Sequence, residues 1–140
     1  MRKVLLKIRG EQRYEGQSPD RIELITMGTF GPMEDGWRIS YQESELTGLA
    51  GTTTDFEIHP NRICLNRSGA VQSQMIFEQG VCHNSLYQLD EGALMIRVCA
   101  RQIQSDLTEN GGTLEVSYRI EIEGNAVGMV RYHIEVQPTP

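Results

Sequence analysis

Several features that would point to a particular partner are missing from this sequence. The 13 basic residues form no run of Lys or Arg, and the formal net charge is −6, so the chain has no electrostatic footprint for DNA or RNA. No stretch approaches the ~18 apolar residues of a membrane-spanning helix, and we expect neither nucleic acid nor a membrane as a partner. The apolar run that begins at Val4 stops at Lys7, which is too short for a secretory signal. We therefore expect a cytoplasmic location.

Cysteine is scarce, and the three cysteines, Cys64, Cys82 and Cys99, are widely spaced. A small secreted domain that depends on disulfides has an even and denser set, so we expect reduced structural thiols. No CxxC pair occurs, and neighbours such as Cys82 and His83 would face opposite sides of a strand. The sequence therefore predicts no metal site and no cofactor.

Motifs for catalysis are also absent. The glycines at 48 and 51 lack the spacing of a phosphate-binding loop and precede no predicted helix. Ser68-Gly69 lacks the flanking residues of a nucleophile elbow. No window has a helical period, and no repeat, low-complexity segment or linker divides the 140 residues. We therefore predict one domain that spans residues 1–140.

The sequence does contain repeated alternation of apolar and polar residues, the pattern of a half-buried strand. The clearest case sets Leu114, Val116 and Tyr118 against Glu115 and Ser117. Turn residues such as those at 17–20 and 110–112 separate the segments, and the Asn-Gly at 110–111 suits a type I′ hairpin turn. About ten strands are predicted, near residues 3–14, 21–30, 37–45, 52–59, 62–67, 71–78, 81–88, 93–105, 114–123 and 130–136.

Consecutive strands joined by short turns, with no helix for a parallel crossover, predict an antiparallel meander. A single open sheet of this length would leave two edges exposed, and closure removes those edges. We therefore predict an all-β fold, an up-and-down antiparallel β-barrel of the lipocalin-like kind with about ten strands. A two-sheet sandwich fits the same alternation and is the alternative.

Four short segments carry a resemblance to a known family. They are YQESELTG at 41–48, GTTT at 51–54, RSGA at 67–70 and QMIF at 74–77. In these segments, in the hairpin at 111–112 and at Tyr118, the chain resembles the YwiB-like family of small bacterial proteins of unknown function, which have a lipocalin-like (calycin) barrel. The resemblance covers nearly the whole chain and departs from the family pattern at Gln42, where an acidic residue is common. It implies the barrel fold, and it implies no activity and no catalytic residue.

A cluster of polar side chains is predicted inside the barrel. Alternate residues of a strand share a face, so the apolar side of strand 37–45 continues into Glu43 and Glu45, and that of strand 62–67 ends at Arg67. Arg67 could bind a carboxylate or phosphate through its planar guanidinium, with Trp37 and Phe77 adding to an apolar wall. The predicted ligand-binding residues are Tyr41, Glu43, Glu45, Arg67, Ser73, Met75, His83 and Tyr87.

Three functions remain open at this point. The first is binding of a small polar or anionic molecule in the barrel interior. The second is an interaction or structural module, for instance a homodimer, because Leu5, Ile25 and Met27 are predicted to face outward; Arg67 would then form a solvent-exposed ion pair worth only about 0–1 kcal/mol. The third is an acid–base enzyme that uses the interior carboxylates and His83.

Overall fold

The computed structural model of the chain describes residues 1–14 and 18–139, and it consists of strands joined by short turns. Part of the turn predicted at 17–20 lies outside the described residues, since Gln17 is not among them. The strands are β1 (Arg2–Tyr14), β2 (Asp20–Met33), β3 (Gly36–Gln42), β4 (Thr52–His59), β5 (Arg62–Gly69), β6 (Ser73–Glu78), β7 (Cys82–Leu89), β8 (Gly92–Thr108), β9 (Gly111–Ile122) and β10 (Asn125–Pro138). One 3-10 turn, Glu45–Thr47, follows β3.

The ten strands form one antiparallel sheet in the order β6-β5-β4-β3-β2-β1-β10-β9-β8-β7. Each strand pairs with its neighbour in the chain except β6 and β7, which are the two edges of the sheet. β1 also pairs with β10, from Val4 opposite Pro138 to Tyr14 opposite Gly128. The sheet therefore curls into a nearly closed barrel. The prediction of an all-β, up-and-down antiparallel barrel with about ten strands is confirmed, and the lipocalin-like (calycin) relationship stays a prediction.

The boundary between β6 and β7 closes the barrel with few backbone hydrogen bonds. Gln72 and Gln88 exchange N–H···O bonds of 3.0 and 2.8 Å, and an isolated bridge joins Glu78 to Val81. Between these points side chains make the contacts: the Ser85 hydroxyl donates to the Gln74 carbonyl. The other strand boundaries are ladders of paired residues, with one register shift in each of the β8–β9 and β9–β10 ladders.

The apolar side of each strand faces the interior and forms the core. The side chains with no more than 1% exposure include Val4, Leu6, Phe30, Ile39, Phe56, Ile63, Leu65, Phe77, Val98, Leu114, Val116 and Ile134. Full burial of one such side chain stabilises the fold by roughly 1.5–3 kcal/mol. On the outer face Ile25 and Met27 are 66% and 50% exposed, as predicted, and Leu5 is half-buried.

The hairpin predicted near residues 110–112 forms, but its turn differs from the prediction. Thr108 pairs with Gly111, so the two loop residues are Glu109 and Asn110. Asn110 is not among the residues with positive φ, whereas Gly111 and Gly112 have φ values of 100° and 136°. The type I′ turn is therefore wrong, because the positive φ falls on the two glycines that begin β9.

Cys82 and Cys99 form a disulfide, so the expectation that these thiols are reduced is wrong. The two residues are direct cross-strand partners of β7 and β8, with Cα atoms 4.1 Å apart. Directly opposed residues of an antiparallel pair come this close at non-hydrogen-bonded positions, and spacing along the chain does not reveal such a register. Cys64 is a free, buried thiol, as expected.

Candidate functional site

A cavity of about 360 Å³ lies inside one end of the barrel. Residues from most strands of the barrel line it, together with Thr47 and Leu49 from the connection between β3 and β4. Five of the eight predicted binding residues are on its wall: Tyr41, Glu43, Arg67, Met75 and Tyr87. The inward alternation of β3, β5, β6 and β7 thus brings side chains from separate strands to one space.

The register of the sheet sets three polar side chains in one row. Tyr41 pairs with Thr54, and Thr54 pairs with Arg67. Inward-facing cross-strand partners lie within reach of one another. Gly28 precedes Tyr41 in this row, and a Cβ at Gly28 would lie 2.6 Å from the Ser40 carbonyl oxygen and 2.5 Å from Leu6 Cδ1. The absent side chain at Gly28 therefore lets the row pack closely against the core.

Glu43 and Arg67 form a buried ion pair at the cavity. Arg67 Nε lies 3.9 Å from Glu43 Oε2, and the two side chains are 6% and 2% exposed. The Thr54 hydroxyl donates a 2.5 Å hydrogen bond to Glu43 Oε2. Glu43 Oε1 and Arg67 Nε have no hydrogen-bond partner among the described residues. The pair is therefore enclosed but incompletely hydrogen-bonded, and the alternative of a solvent-exposed pair at this position is wrong.

Arg67 also reaches across the barrel. Its Nη2 donates a 3.2 Å hydrogen bond to the Tyr132 hydroxyl, which joins β5 to β10, strands that do not neighbour each other in the sheet. The Tyr132 ring contacts Phe56 edge-on, with ring centroids 6.4 Å apart. Arg67 and Tyr132 both line the cavity, so their hydrogen bond joins two separate parts of its wall.

Burial favours the protonated form of two phenols on the cavity wall, Tyr41 and Tyr118. Burial, with a further contribution from the charge of Glu43, raises the pKa of Tyr41. Burial, followed by the effect of Tyr132, also raises the pKa of Tyr118. Burial alone would lower the pKa of Arg67, but the surrounding phenols and Glu43 outweigh it and raise that pKa. The buried part of the site thus combines the Arg67–Glu43 ion pair with the protonated phenols of Tyr41 and Tyr118.

The sequence matches one known protein family over most of its length. The family described as a domain of unknown function, DUF1934, matches residues 6–134. The chain belongs to this family. It is 27% identical over 101 residues to the uncharacterized beta-barrel protein YwiB of Bacillus subtilis (strain 168). The aligned region covers 72% of this chain and 70% of that protein.

The crystal structure of the ywiB protein from Bacillus subtilis has a similar fold, with a TM-score of 0.78. The match covers 95% of the DUF1934 chain and 90% of the other chain at 22% identity, and at this identity the likeness concerns the fold alone. The predicted resemblance to the YwiB-like family is therefore confirmed, and with it the β-barrel fold.

Three predicted binding residues do not line the cavity of this DUF1934 barrel. The Glu43 N–H still bonds the Thr52 carbonyl at 2.9 Å, but the Ser44 side chain then accepts from Leu46 N and starts the 3-10 turn. Strand alternation ends there, so Glu45 is exposed and its predicted inward orientation is wrong. Ser73 is half-buried, and its hydroxyl has no partner among the described residues.

His83 lies at the boundary between β6 and β7 rather than on the cavity wall. Its Nε2 is 3.0 Å from Glu78 Oε1. The two aromatic residues predicted to extend the wall also pack elsewhere: Trp37 stacks on Phe30 at 5.1 Å, and Phe77 packs on Tyr118 at 4.7 Å. The barrel therefore does not assemble the constellation that the acid–base hypothesis requires.

Three important residues were missed in the sequence. Thr54, in a run typical of strands, supplies the hydroxyl that bonds Glu43, while Tyr118 and Tyr132 come from β9 and β10. The sequence does place both tyrosines on the apolar side of an alternating strand, where a buried hydroxyl usually finds a hydrogen-bond partner. Which partner it finds depends on the opposite wall of the barrel, which alternation does not identify.

Neither a metal site nor a membrane-spanning helix has a candidate among the described residues. Within 1–14 and 18–139, no group of three or more His, Cys, Asp or Glu side chains is arranged to hold a metal ion. In the same part of the chain, no helix has the length and apolar character needed to cross a membrane.

Proposed function

We propose that the barrel interior binds a small molecule with a polar or anionic head and an apolar body. The observation that carries this proposal is the buried Glu43–Arg67 pair on the wall of a cavity of about 360 Å³. Small-molecule sites are concave, mostly apolar and have a few polar groups that fix the orientation of the ligand, with volumes of about 300–1,000 Å³.

The incomplete hydrogen bonding of the pair supports a binding role over a structural one. A buried ion pair is weak evidence for stability, because apolar residues of the same size often serve as well. Here Glu43 Oε1 and Arg67 Nε also lack partners, and an unsatisfied buried polar group costs roughly 1–3 kcal/mol. A head group that supplies the missing hydrogen bonds would offset this cost.

The apolar part of the wall suits the body of the ligand. Met75, Ile96 and Val130 line the cavity and are almost fully buried. Ile22 and Leu94 also line it and are 38% and 37% exposed, which places them at its opening. A ligand would thus enter past apolar side chains and carry its polar end toward Arg67.

A thermal-shift screen against a metabolite panel tests this proposal. Ile22→Trp should obstruct the opening and abolish ligand-dependent shifts. Ile25→Trp is the matched control, because Ile25 lies on the same strand but faces outward with 66% exposure. Shifts for the unmodified protein and the Ile25 variant, but not the Ile22 variant, support binding in the cavity. No shift with any compound, or equal shifts in all three proteins, contradicts it.

A second candidate is a homodimer or another interaction module. The observation that favours it is the pair Ile25 and Met27 on the outer face of β2, with Leu5 opposite Met27 in the register. Contiguous exposed apolar residues mark interaction surfaces. Light scattering should then show a dimer that Ile25→Lys dissociates, whereas a monomer at every concentration contradicts this candidate.

We also propose a cytoplasmic location. The Cys82–Cys99 disulfide is evidence against this location, because disulfides are rare in the reducing cytoplasm. Alkylation of thiols in intact cells followed by mass spectrometry tests the proposal: cytoplasmic protein should be recovered with Cys82 and Cys99 both alkylated.

A further inference from the structure

The charges buried at the cavity are already balanced. Three charged residues line it among those described, and of these Glu43 and Arg67 are buried whereas Asp20 is exposed. An entering carboxylate or phosphate would leave one negative charge in excess next to the pair, and an entering ammonium would leave one positive charge. Because burial of an uncompensated charge is costly, the pair disfavours both kinds of ion.

The same pair leaves one donor and one acceptor unused. Arg67 Nε and Glu43 Oε2 are 3.9 Å apart, which is beyond hydrogen-bonding distance. The unpartnered atoms, Arg67 Nε and Glu43 Oε1, are a donor and an acceptor respectively. Both atoms are enclosed, so a head group reaches them only when the two side chains move apart. It would need both an acceptor for the guanidinium and a donor for the carboxylate, and a primary amide or a hydroxyl offers both.

The remaining polar groups of the wall have the same character. All five tyrosines of the chain line this one cavity: Tyr14, Tyr41, Tyr87, Tyr118 and Tyr132. A neutral phenol both donates and accepts hydrogen bonds and brings no charge. A cavity surrounded by phenols and a neutralised ion pair complements a head group that also donates and accepts without charge.

We infer that the ligand of this cavity is an uncharged amphiphile, with a primary amide or hydroxyl head between Glu43 and Arg67 and an alkyl or aryl body against the apolar wall. This inference rests on the proposed function and narrows it. The neutralised Glu43–Arg67 pair favours an uncharged ligand, whereas Arg67 without Glu43 would favour an anion.

Calorimetric titration with four probes of equal chain length tests the inference: octanamide, 1-octanol, octanoate and octylamine. We expect octanamide or octanol to bind the unmodified protein at least about tenfold more tightly than either ion, which corresponds to about 1.4 kcal/mol. Octanoate or octylamine binding as tightly as the uncharged probes would overturn the inference and leave cavity binding intact. Binding of none of the four would overturn the inference, and equal binding by the Ile22→Trp protein would overturn the inference and the proposed function together.

A charge variant gives a second, independent readout. Glu43→Gln keeps the size of the side chain and leaves Arg67 without its counter-charge, so the preference should reverse toward octanoate by at least about tenfold. Ile25→Trp on the outer face should keep the order of affinities of the unmodified protein. An unchanged order in the Glu43→Gln protein would show that the pair does not select the head group, and would overturn the inference.

Discussion

The Arg67 guanidinium and the Tyr132 hydroxyl are joined by a 3.2 Å hydrogen bond that crosses the interior of the barrel from β5 to β10. The strands that carry the two residues do not neighbour each other in the sheet, so this contact is independent of the backbone ladder. It fixes the side chain that also forms the ion pair with Glu43. Stability and the arrangement of the cavity are therefore coupled at Arg67.

Tyr132→Phe should destabilise the protein by about 1.5–3 kcal/mol, the usual worth of a hydrogen bond to a charged group. Tyr118→Phe is the matched control, because Tyr118 is also buried but Arg67 donates to the hydroxyl of Tyr132 instead, so the loss of the Tyr118 hydroxyl should cost less. Urea unfolding of the two variants measures the difference. Equal destabilisation would show that the bond across the barrel contributes nothing specific.

Arg67→Met should cost roughly 3–5 kcal/mol, because it leaves the Glu43 carboxylate buried without its cation. Adding Glu43→Leu to this variant should restore part of the lost stability, since the double variant replaces the whole pair with apolar side chains. Denaturant unfolding of the two singles and the double variant forms a double-mutant cycle. Strictly additive effects would mean that the two side chains do not interact.

Stability should fall in alkaline solution. Burial raises the pKa of Tyr41 and Tyr118 in the folded protein, whereas unfolded tyrosine titrates near pH 10. The folded state then holds protons that the unfolded state has lost, so stability is complete below about pH 10 and declines above it, by up to ~1.4 kcal/mol per pH unit for each tyrosine. Urea midpoints measured across this range should show the decline, and Tyr41→Phe should make it shallower.

Gly28→Ala should destabilise the barrel by about 1–3 kcal/mol, the usual cost of overpacking a core. The new Cβ would lie 2.5 Å from Leu6 Cδ1 and 2.6 Å from the Ser40 carbonyl oxygen. Gly10→Ala is the matched control on the adjacent strand, because its Cβ would meet only Tyr132 Cε1 at 3.8 Å. Thermal unfolding should separate the two variants, and a Gly28→Ala protein as stable as the Gly10→Ala protein would contradict the packing described for the row.

Reduction of the Cys82–Cys99 disulfide should lower stability by roughly 3 kcal/mol, the chain-entropy value for a loop of about 15 residues. The two cysteines are 17 residues apart in the sequence. Unfolding with and without a thiol reductant measures the effect. The Cys82→Ser/Cys99→Ser protein is the control and should not respond to the reductant, whereas a response there would implicate the buried Cys64 instead.

Much of this architecture could be predicted because alternation is local. The pattern at Leu114–Tyr118 and the turn residues between segments suffice for strand number and chain direction, and a meander follows from the missing helices. The inward positions of Glu43 and Arg67 followed in the same way, since each lies one alternation beyond a buried apolar residue.

The parts that failed depend on contacts between distant segments or on where a strand ends. The Ser44 side chain stops the alternation one residue before Glu45, and nothing in the apolar pattern marks that point. The Cys82–Cys99 disulfide depends on the register of β7 against β8. The hydrogen bond from Arg67 to Tyr132 depends on which strands face each other across the closed barrel, and this is known only once the barrel has formed.

The sparse boundary between β6 and β7 has a consequence for the shape of the wall. Nine of the strand boundaries are ladders whose hydrogen bonds fix the distance between the two backbones. Any widening of the barrel therefore occurs between β6 and β7, where the Ser85 side chain bonds Gln74. Met75, next to Gln74, and Tyr87, two residues after Ser85, line the cavity. The barrel can therefore widen at the boundary between β6 and β7 to fit a ligand, without breaking the backbone hydrogen bonds of any ladder.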